Sequence, residues 1–352
     1  MEYFLMVMVI PLIIMIVGKI MFPHEITWQE SLISLGVTVL IAAAVVGAGY
    51  YRDSADTEII SGQVVSKDSQ RVSCQHSYSC NCYTTCSGGK TRTCTQHCST
   101  CYEHGYDISW YVRSDIGYLT IDRVNRRGDE MPPRWNAVQI GDPFSMDHGY
   151  TNWVKASPDS LFHAINSVAF EKLIPNYPRV YDYYKIDRAI AMGVTVPDLK
   201  SWQENLAIMQ RIVGPKKQAN VIVIFAKTSD RSYVEALKSK WLGGKKNDVL
   251  VVVGTLKYPK VEFVDVISWT DNQLFKIQLR DDLSATPEVN QAQWIESIQK
   301  NIMTSYVRKP AKDFEYLKDE IEPPTWVIAL AFFLSFVVSC VATVVAHRHK
   351  IA

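Results

Sequence analysis

The feature that most constrains this chain is the cysteine-rich segment from Cys74 to His104. Seven of the eight cysteines lie in it, together with three of the eight histidines. The residues between them are almost all polar or glycine, so the segment cannot bury a hydrophobic core of its own. Covalent or metal bonds must therefore hold it together. The candidate ligands and disulfide partners are Cys74, His76, Cys80, Cys82, Cys86, Cys94, His97, Cys98, Cys101 and His104.

Two kinds of bond fit this segment. Zinc takes four Cys or His ligands, and the pairs Cys82-x3-Cys86 and Cys98-x2-Cys101 have the spacing of its local clamps. Disulfides would pair six of the seven cysteines and leave one thiol free or bonded to another chain. The odd number of cysteines and the histidines favour zinc, whereas a location outside the cytoplasm favours disulfides. Any zinc is expected to be structural, because the chain has no His-Glu-x-x-His motif.

Three apolar runs have the length of about 20 residues that a membrane-spanning helix needs. We interpret the first as a retained helix and not a signal peptide, because no positive charge precedes it and no small-residue cleavage site follows it. The predicted transmembrane helices are 1–22, 32–51 and 326–346, with a short loop at 23–31 and a basic tail at 347–352.

The positive charges near these runs set the expected orientation. Lys19 lies at the end of the first run, and the tail contains His347-Arg348-His349-Lys350. Cytoplasmic loops carry an excess of Lys and Arg, so we expect the loop at 23–31 and the C-terminus in the cytoplasm. The sequence therefore predicts an inner-membrane or plasma-membrane protein whose body lies outside the cytoplasm.

The first half of the body, residues 52–155, is predicted to be a small β domain that carries the cysteine-rich segment 74–104 as an insertion. Alternation of apolar and polar residues predicts its strands. The expected strands are 58–67, 106–112 and 118–124. Residues 126–154 are rich in Pro, Gly and Asp and are expected to form irregular chain. A connecting helical and aromatic segment, 156–198, would contain a helix at 161–170.

The second half of the body changes character and predicts an α/β sandwich at 199–310, followed by a juxtamembrane linker at 311–325. Unbroken β-branched runs are typical of strands buried on both faces. The expected strands are 219–226, 248–254 and 261–269, and the expected helices are 199–213, 230–242 and 287–306. Residues 275–279 fit either a short strand or a helical turn. The fold class is thus a membrane-anchored α+β protein with three transmembrane helices.

One part of the second half carries a recognisable pattern. A helix with Tyr233 and Trp241 is followed by Gly244-Lys245-Lys246-Asn247-Asp248 and then by a hydrophobic strand at 249–253. In this pattern residues 199–308 resemble the TPM-domain family, although that family tends to have a Gly-rich segment where this chain has 265–269. The resemblance implies an α/β module that is tethered by a hydrophobic helix and exposed outside the cytoplasm.

The resemblance also carries functional implications. Members of the TPM-domain family are linked to the repair and assembly of membrane complexes, and some to phosphatase activity with a bound divalent metal. By position, Asp248 lies nearest to the acidic site of that family, which makes it a candidate metal ligand. The alternative role for Asp248 is to cap the start of the following strand.

The remaining sequence evidence favours binding over catalysis. A net charge of +1 gives no electrostatic basis for nucleic-acid binding, and the chain has no phosphate loop or nucleophile elbow. We predict a binding or scaffolding protein that acts with other membrane or extracytoplasmic proteins in assembling or maintaining a membrane complex. The alternative is a membrane-tethered, metal-dependent phosphatase-like hydrolase. Gly47 and Gly49 are compatible with close helix packing in a homo-oligomer.

Overall fold

The computed structural model describes residues 2–24, 26–88, 93–157 and 170–349. The chain divides into two compact units. The helical unit comprises Met1–Thr57, Gly149–Asn166 and Pro310–Ala352, and the α/β unit comprises Glu58–His148 and Ser167–Lys309. The α/β unit therefore contains most of the region predicted as a β domain and nearly all of the region predicted as an α/β sandwich.

The described residues form helices and strands of both kinds. The helices are α1 (Glu2–Met21), α2 (Trp28–Ser54), α3 (Pro133–Ala137), α4 (Trp153–Ala156), α5 (Leu199–Lys217), α6 (Ser232–Trp241), α7 (Gln273–Ser284), α8 (Gln291–Ser305) and α9 (Thr325–His349). The strands are β1 (Ala55–Val72), β2 (Ser77–Ser87), β3 (Thr93–Tyr102), β4 (Asp107–Ser114), β5 (Tyr118–Ile121), β6 (Pro143–Thr151), β7 (Ala189–Met192), β8 (Asn220–Ala226), β9 (Asp248–Gly254) and β10 (Phe263–Ser268). A 3-10 helix spans Ala311–Glu320.

Helices α1, α2 and α9 of the helical unit are long and apolar enough to cross a membrane, as the three apolar runs predicted. They pack on one another through the buried side chains of Val7, Ala42, Val46 and Ala331. Most of their other apolar side chains are exposed, which is the pattern expected of helices that face lipid.

Helix α2 begins before the apolar run that predicted it. The reason is a capping box: the Thr27 side chain accepts a hydrogen bond from the Glu30 N–H, and the Glu30 carboxylate accepts one from the Thr27 N–H at 2.8 Å. These two bonds satisfy backbone donors that the start of a helix leaves unpaired. The polar first turn therefore joins the helix even though it lacks apolar periodicity.

The first sheet of the α/β unit has the strand order β5-β4-β1-β6. Strands β1 and β4 are antiparallel, as are β4 and β5. Its core contains Val64, Trp110, Val112 and Phe144. The three predicted strands are confirmed, but the expectation of irregular chain across 126–154 is wrong for Pro143–Thr151. This segment forms strand β6 because the free edge of β1 is available for pairing and Phe144 fills the core.

The cysteine-rich segment forms a separate two-stranded sheet between β1 and β4. Strands β2 and β3 are antiparallel and pair from Ser77↔Tyr102 to Ser87↔Thr93. Nearly all of their side chains are exposed. We call these two strands the ribbon. A two-stranded ribbon is at best marginally stable in water on its own, so other bonds must maintain it.

The second sheet has the order β10-β9-β8-β7, with β7, β8 and β9 parallel and β10 antiparallel. Helices α5, α7 and α8 cover one face and α6 covers the other. Successive residues of β8 alternate between the two cores: Val221 and Val223 enter one, and Ile222 and Ile224 enter the other. Burial on both faces explains why the sequence of these strands is unbroken in its apolar character.

Two elements of the second sheet and its helices were not specified by the sequence prediction. Strand β7 lies in the predicted connecting segment and was missed because four residues are too short to show a period. Residues 275–279 belong to helix α7, in which Phe275, Leu279 and Leu283 are buried at helical spacing. The helix predicted at 161–170 lies, apart from Phe170, outside the described residues.

Candidate functional site

The ribbon is held by three disulfides that join its two strands. Cys80 bonds to Cys101, Cys82 to Cys98, and Cys86 to Cys94, with Cα–Cα distances of 5.8, 4.1 and 4.0 Å. A cysteine in a disulfide has no thiolate to offer a metal. Six of the ten candidate zinc ligands are therefore paired in disulfides, which leaves Cys74 and the three histidines of the segment.

The ribbon displays aromatic side chains to solvent. Tyr78 and Tyr83 are 52% and 62% exposed, and the ring of His97 stacks on that of Tyr83 at a centroid distance of 5.4 Å. The strand register places these three side chains on the same face. We call Tyr78, Tyr83 and His97 the tyrosine face. Tyr102, which is 58% exposed, lies on the opposite face.

Two of the remaining candidate ligands meet an aspartate at the base of the ribbon. Cys74 is a free, buried cysteine, and its Sγ lies 3.8 Å from His104 Nδ1. The same Nδ1 lies 3.3 Å from Asp107 Oδ1. Among the residues that the structure describes, these three form the one group of potential metal ligands whose ligand atoms are all within 4.8 Å of one another. The rings of His76 and His97 are not part of it.

Asp107 is the member of this group that the sequence did not single out. Its other oxygen, Oδ2, accepts hydrogen bonds at 2.9 Å from the Gln75 N–H and from Arg123. The Gln75 N–H first, then the Cys74 thiol and the Arg123 guanidinium, lower the pKa of Asp107 to about 2 against the opposing effect of burial. Asp107 is therefore an anion at neutral pH, although its side chain is fully buried.

Asp248, the candidate from the family resemblance, lies in a different part of the α/β unit. It is fully buried at the start of β9. Oδ1 accepts a hydrogen bond from Asn220 Nδ2 at 2.7 Å, Oδ2 accepts one from the Lys245 N–H at 2.6 Å, and the Tyr177 hydroxyl contacts both oxygens. Burial raises the pKa of Asp248 to about 6. This geometry is that of the strand-start cap.

A cleft of about 500 Å³ opens elsewhere in the α/β unit, a volume suited to a small ligand. Its lining is a mixture of aromatic, aliphatic and charged side chains, and sequence reasoning did not identify it. The lining includes Asp142, Phe144, Tyr181, Tyr184, Asp187 and Glu204. Neither Asp248 nor any cysteine or histidine contributes to the lining, so this cleft is separate from every predicted site residue.

Comparison with models of known families, with curated proteins and with solved structures finds no match for this chain. The resemblance to the TPM-domain family therefore stays a prediction.

Proposed function

We propose that this chain is an integral membrane protein whose body lies on the extracytoplasmic side. Helices α1, α2 and α9 have the length and composition of spans. Disulfides persist in oxidising compartments and are rare in the cytoplasm. Three of them in one short ribbon support an extracytoplasmic body, in agreement with the orientation that the positive charges of Lys19 and the C-terminal tail favour.

In this protein the ribbon acts as a binding surface for another membrane or extracytoplasmic protein. The observation that carries the proposal is that the side chains of the ribbon are nearly all exposed while its backbone is cross-linked three times. Cross-links remove the need for a core and reduce the entropy lost when a segment binds. Exposed tyrosines are favoured contact residues because they offer a large contact area at a low entropic cost. The tyrosine face is therefore the contact surface.

The biological role that follows is scaffolding in the assembly or maintenance of a membrane complex. The alternative, a metal-dependent phosphatase-like hydrolase, would require Asp248 to reach both a metal and a substrate. Asp248 is fully buried and its two oxygens accept hydrogen bonds from Asn220, Tyr177 and the Lys245 backbone. Binding through the ribbon has the better structural support.

Site-specific photo-crosslinking in intact membranes tests this function. A photo-crosslinking amino acid is placed at Tyr83 of the tyrosine face or, as a matched control, at Tyr118 of β5, which is similarly exposed at 64%. We expect a discrete crosslinked adduct from position 83 and none from position 118. Because the ribbon depends on its disulfides, the adduct should disappear when the membranes are reduced before irradiation.

Two results would count against the proposed function. One is the absence of an adduct from position 83 in membranes of the native host. The other is the same adduct from positions 83 and 118, or an adduct that reduction leaves unchanged. Either result would mean that the ribbon is not the contact surface.

A further inference from the structure

The group at the base of the ribbon has the dimensions of a metal site. Zinc binds Cys sulfur at about 2.3 Å and His nitrogen or carboxylate oxygen at about 2.0–2.1 Å in a tetrahedral arrangement. Those bond lengths place sulfur and nitrogen about 3.5 Å apart and nitrogen and oxygen about 3.3 Å apart. The corresponding distances here are 3.8 Å from Cys74 Sγ to His104 Nδ1 and 3.3 Å from His104 Nδ1 to Asp107 Oδ1.

An independent observation points to a cation at the same place. Asp107 Oδ1 is buried, and among the described residues no hydrogen bond of ordinary geometry reaches it, although the Cys74 thiol lies close enough to lower the pKa of this carboxyl. A buried charged oxygen without a partner is costly, and such groups are commonly paired with a cation or a metal. His104 Nδ1 lies 3.3 Å from this oxygen, and a neutral imidazole would leave the carboxylate charge uncompensated there.

The backbone around the group is also fixed. Strands β1 and β4 pair up to Val72↔Asp107, so Cys74 follows the end of β1 beside the start of β4. His76 accepts a backbone hydrogen bond from Glu103 at 3.0 Å, which ties together the two chain segments that enter the ribbon. The ligands therefore come from both sides of the ribbon base, and a metal bound by them would clamp it.

We propose that Cys74, His104 and Asp107 form a binding site for a single divalent zinc ion. Thiolate, imidazole and carboxylate are the ligand types that zinc accepts. The thiolate and the carboxylate balance the charge of the ion, and Arg123 holds Asp107 in place through Oδ2. His104 is 27% exposed, so the site can be reached from solvent, and three protein ligands leave the fourth position for water. The site does not depend on which partner the ribbon binds.

Cobalt substitution of the full-length protein in detergent tests the site. The Cys340→Ala variant serves as the parent, because it leaves Cys74 as the only free cysteine. After loading with Co²⁺ we expect thiolate-to-cobalt charge-transfer absorption, and after loading with Zn²⁺ one zinc per chain by elemental analysis. Adding Cys74→Ser to the parent should abolish the cobalt absorption, and Cys74→Ser and His104→Ala should each remove at least nine-tenths of the bound zinc.

For zinc content, His97→Ala is the control, because it removes a nearby histidine of β3 that lies outside the group of three ligands. It should keep one zinc per chain. The proposal is overturned if the parent shows no thiolate-to-cobalt absorption, because the Cys74 thiolate would then not bind the metal. It is also overturned if Cys74→Ser and His104→Ala retain the zinc. The parent spectrum decides the question even if a variant fails to fold, and none of these readouts depends on the crosslinking at Tyr83.

Discussion

One buried arginine, Arg188, connects the two sheets of the α/β unit. Arg188 is fully buried, and its guanidinium donates to the Ser61 and Ser145 hydroxyls of the first sheet and to Asn220 Oδ1 of the second. Asn220 in turn donates to Asp248. Burial lowers the pKa of Arg188 to about 10 and raises that of Asp248 to about 6. Arg188, Asn220 and Asp248 thus form one buried chain of hydrogen bonds that links the two sheets.

The raised pKa of Asp248 predicts a pH dependence of stability. An acid whose pKa is higher in the folded state stabilises the fold fully below its unfolded pKa of 3.8, and this contribution is lost as the pH rises through about 6. Between these two pH values the free energy of unfolding should fall by an amount on the order of 3 kcal/mol. Asp248→Asn cannot titrate, so its stability between pH 4 and 6 should rise relative to that of the wild type as the pH increases.

Denaturant unfolding of both proteins across this pH range measures the effect. The control is Asp281→Asn, since the Asp281 side chain is 61% exposed and should leave the pH profile unchanged. Parallel profiles for the wild type and Asp248→Asn would show that Asp248 titrates normally and would contradict its burial in this network.

At the scale of elements, the disulfide pairing of the ribbon could have been predicted from the sequence. Each of the three disulfides is centred on residue 90 to within half a residue, which is the symmetry of pairs across an antiparallel hairpin. Zinc-like spacing such as Cys98-x2-Cys101 relates residues within one strand, whereas this symmetry relates residues of the two strands. Asp107 carries no such signal, because it reaches Cys74 only through the pairing of β1 with β4. Strand register of this kind is set by tertiary packing.

Two glycines of α2 differ in their contact with α9. A Cβ added at Gly49 would lie 2.7 Å from Val327 Cγ1, whereas one added at Gly47 would have no neighbour within 4 Å. Both substitutions to alanine gain helix propensity of about 1 kcal/mol, but only Gly49→Ala also forces α2 and α9 apart. We expect Gly49→Ala to destabilise the helical unit by about 1–3 kcal/mol, and Gly47→Ala to be neutral or stabilising.

Thermal unfolding of each variant in the same detergent, followed by loss of the monodisperse fraction, compares the two substitutions. Equal midpoints for Gly49→Ala and Gly47→Ala would mean that α2 and α9 are not in close contact at this position. The sequence identified both glycines as candidates for close packing, but only the structure separates the one that packs within the chain.

At the scale of the whole molecule, the chain order itself was predictable. Two apolar helices precede the α/β unit and one follows it. The buried strands of the second sheet could be predicted because burial on both faces leaves an unbroken apolar pattern in the sequence. Whether the cysteines form disulfides or bind zinc could not be predicted in this way, because both use the same residues at similar spacings. Because disulfides persist outside the cytoplasm, the three disulfides are the main support for the proposed extracytoplasmic body.

The most direct test of the account is the thiol state of the chain in living cells. Cells that produce the full-length protein are alkylated rapidly under denaturing conditions, and tryptic peptides are analysed without reduction. We expect that fragments 72–90 and 93–113 remain linked, with alkylation of Cys74 and Cys340 alone among the eight cysteines. Alkylation of the six paired cysteines would contradict it, because the ribbon would then lack its cross-links and the argument for an extracytoplasmic body would fail.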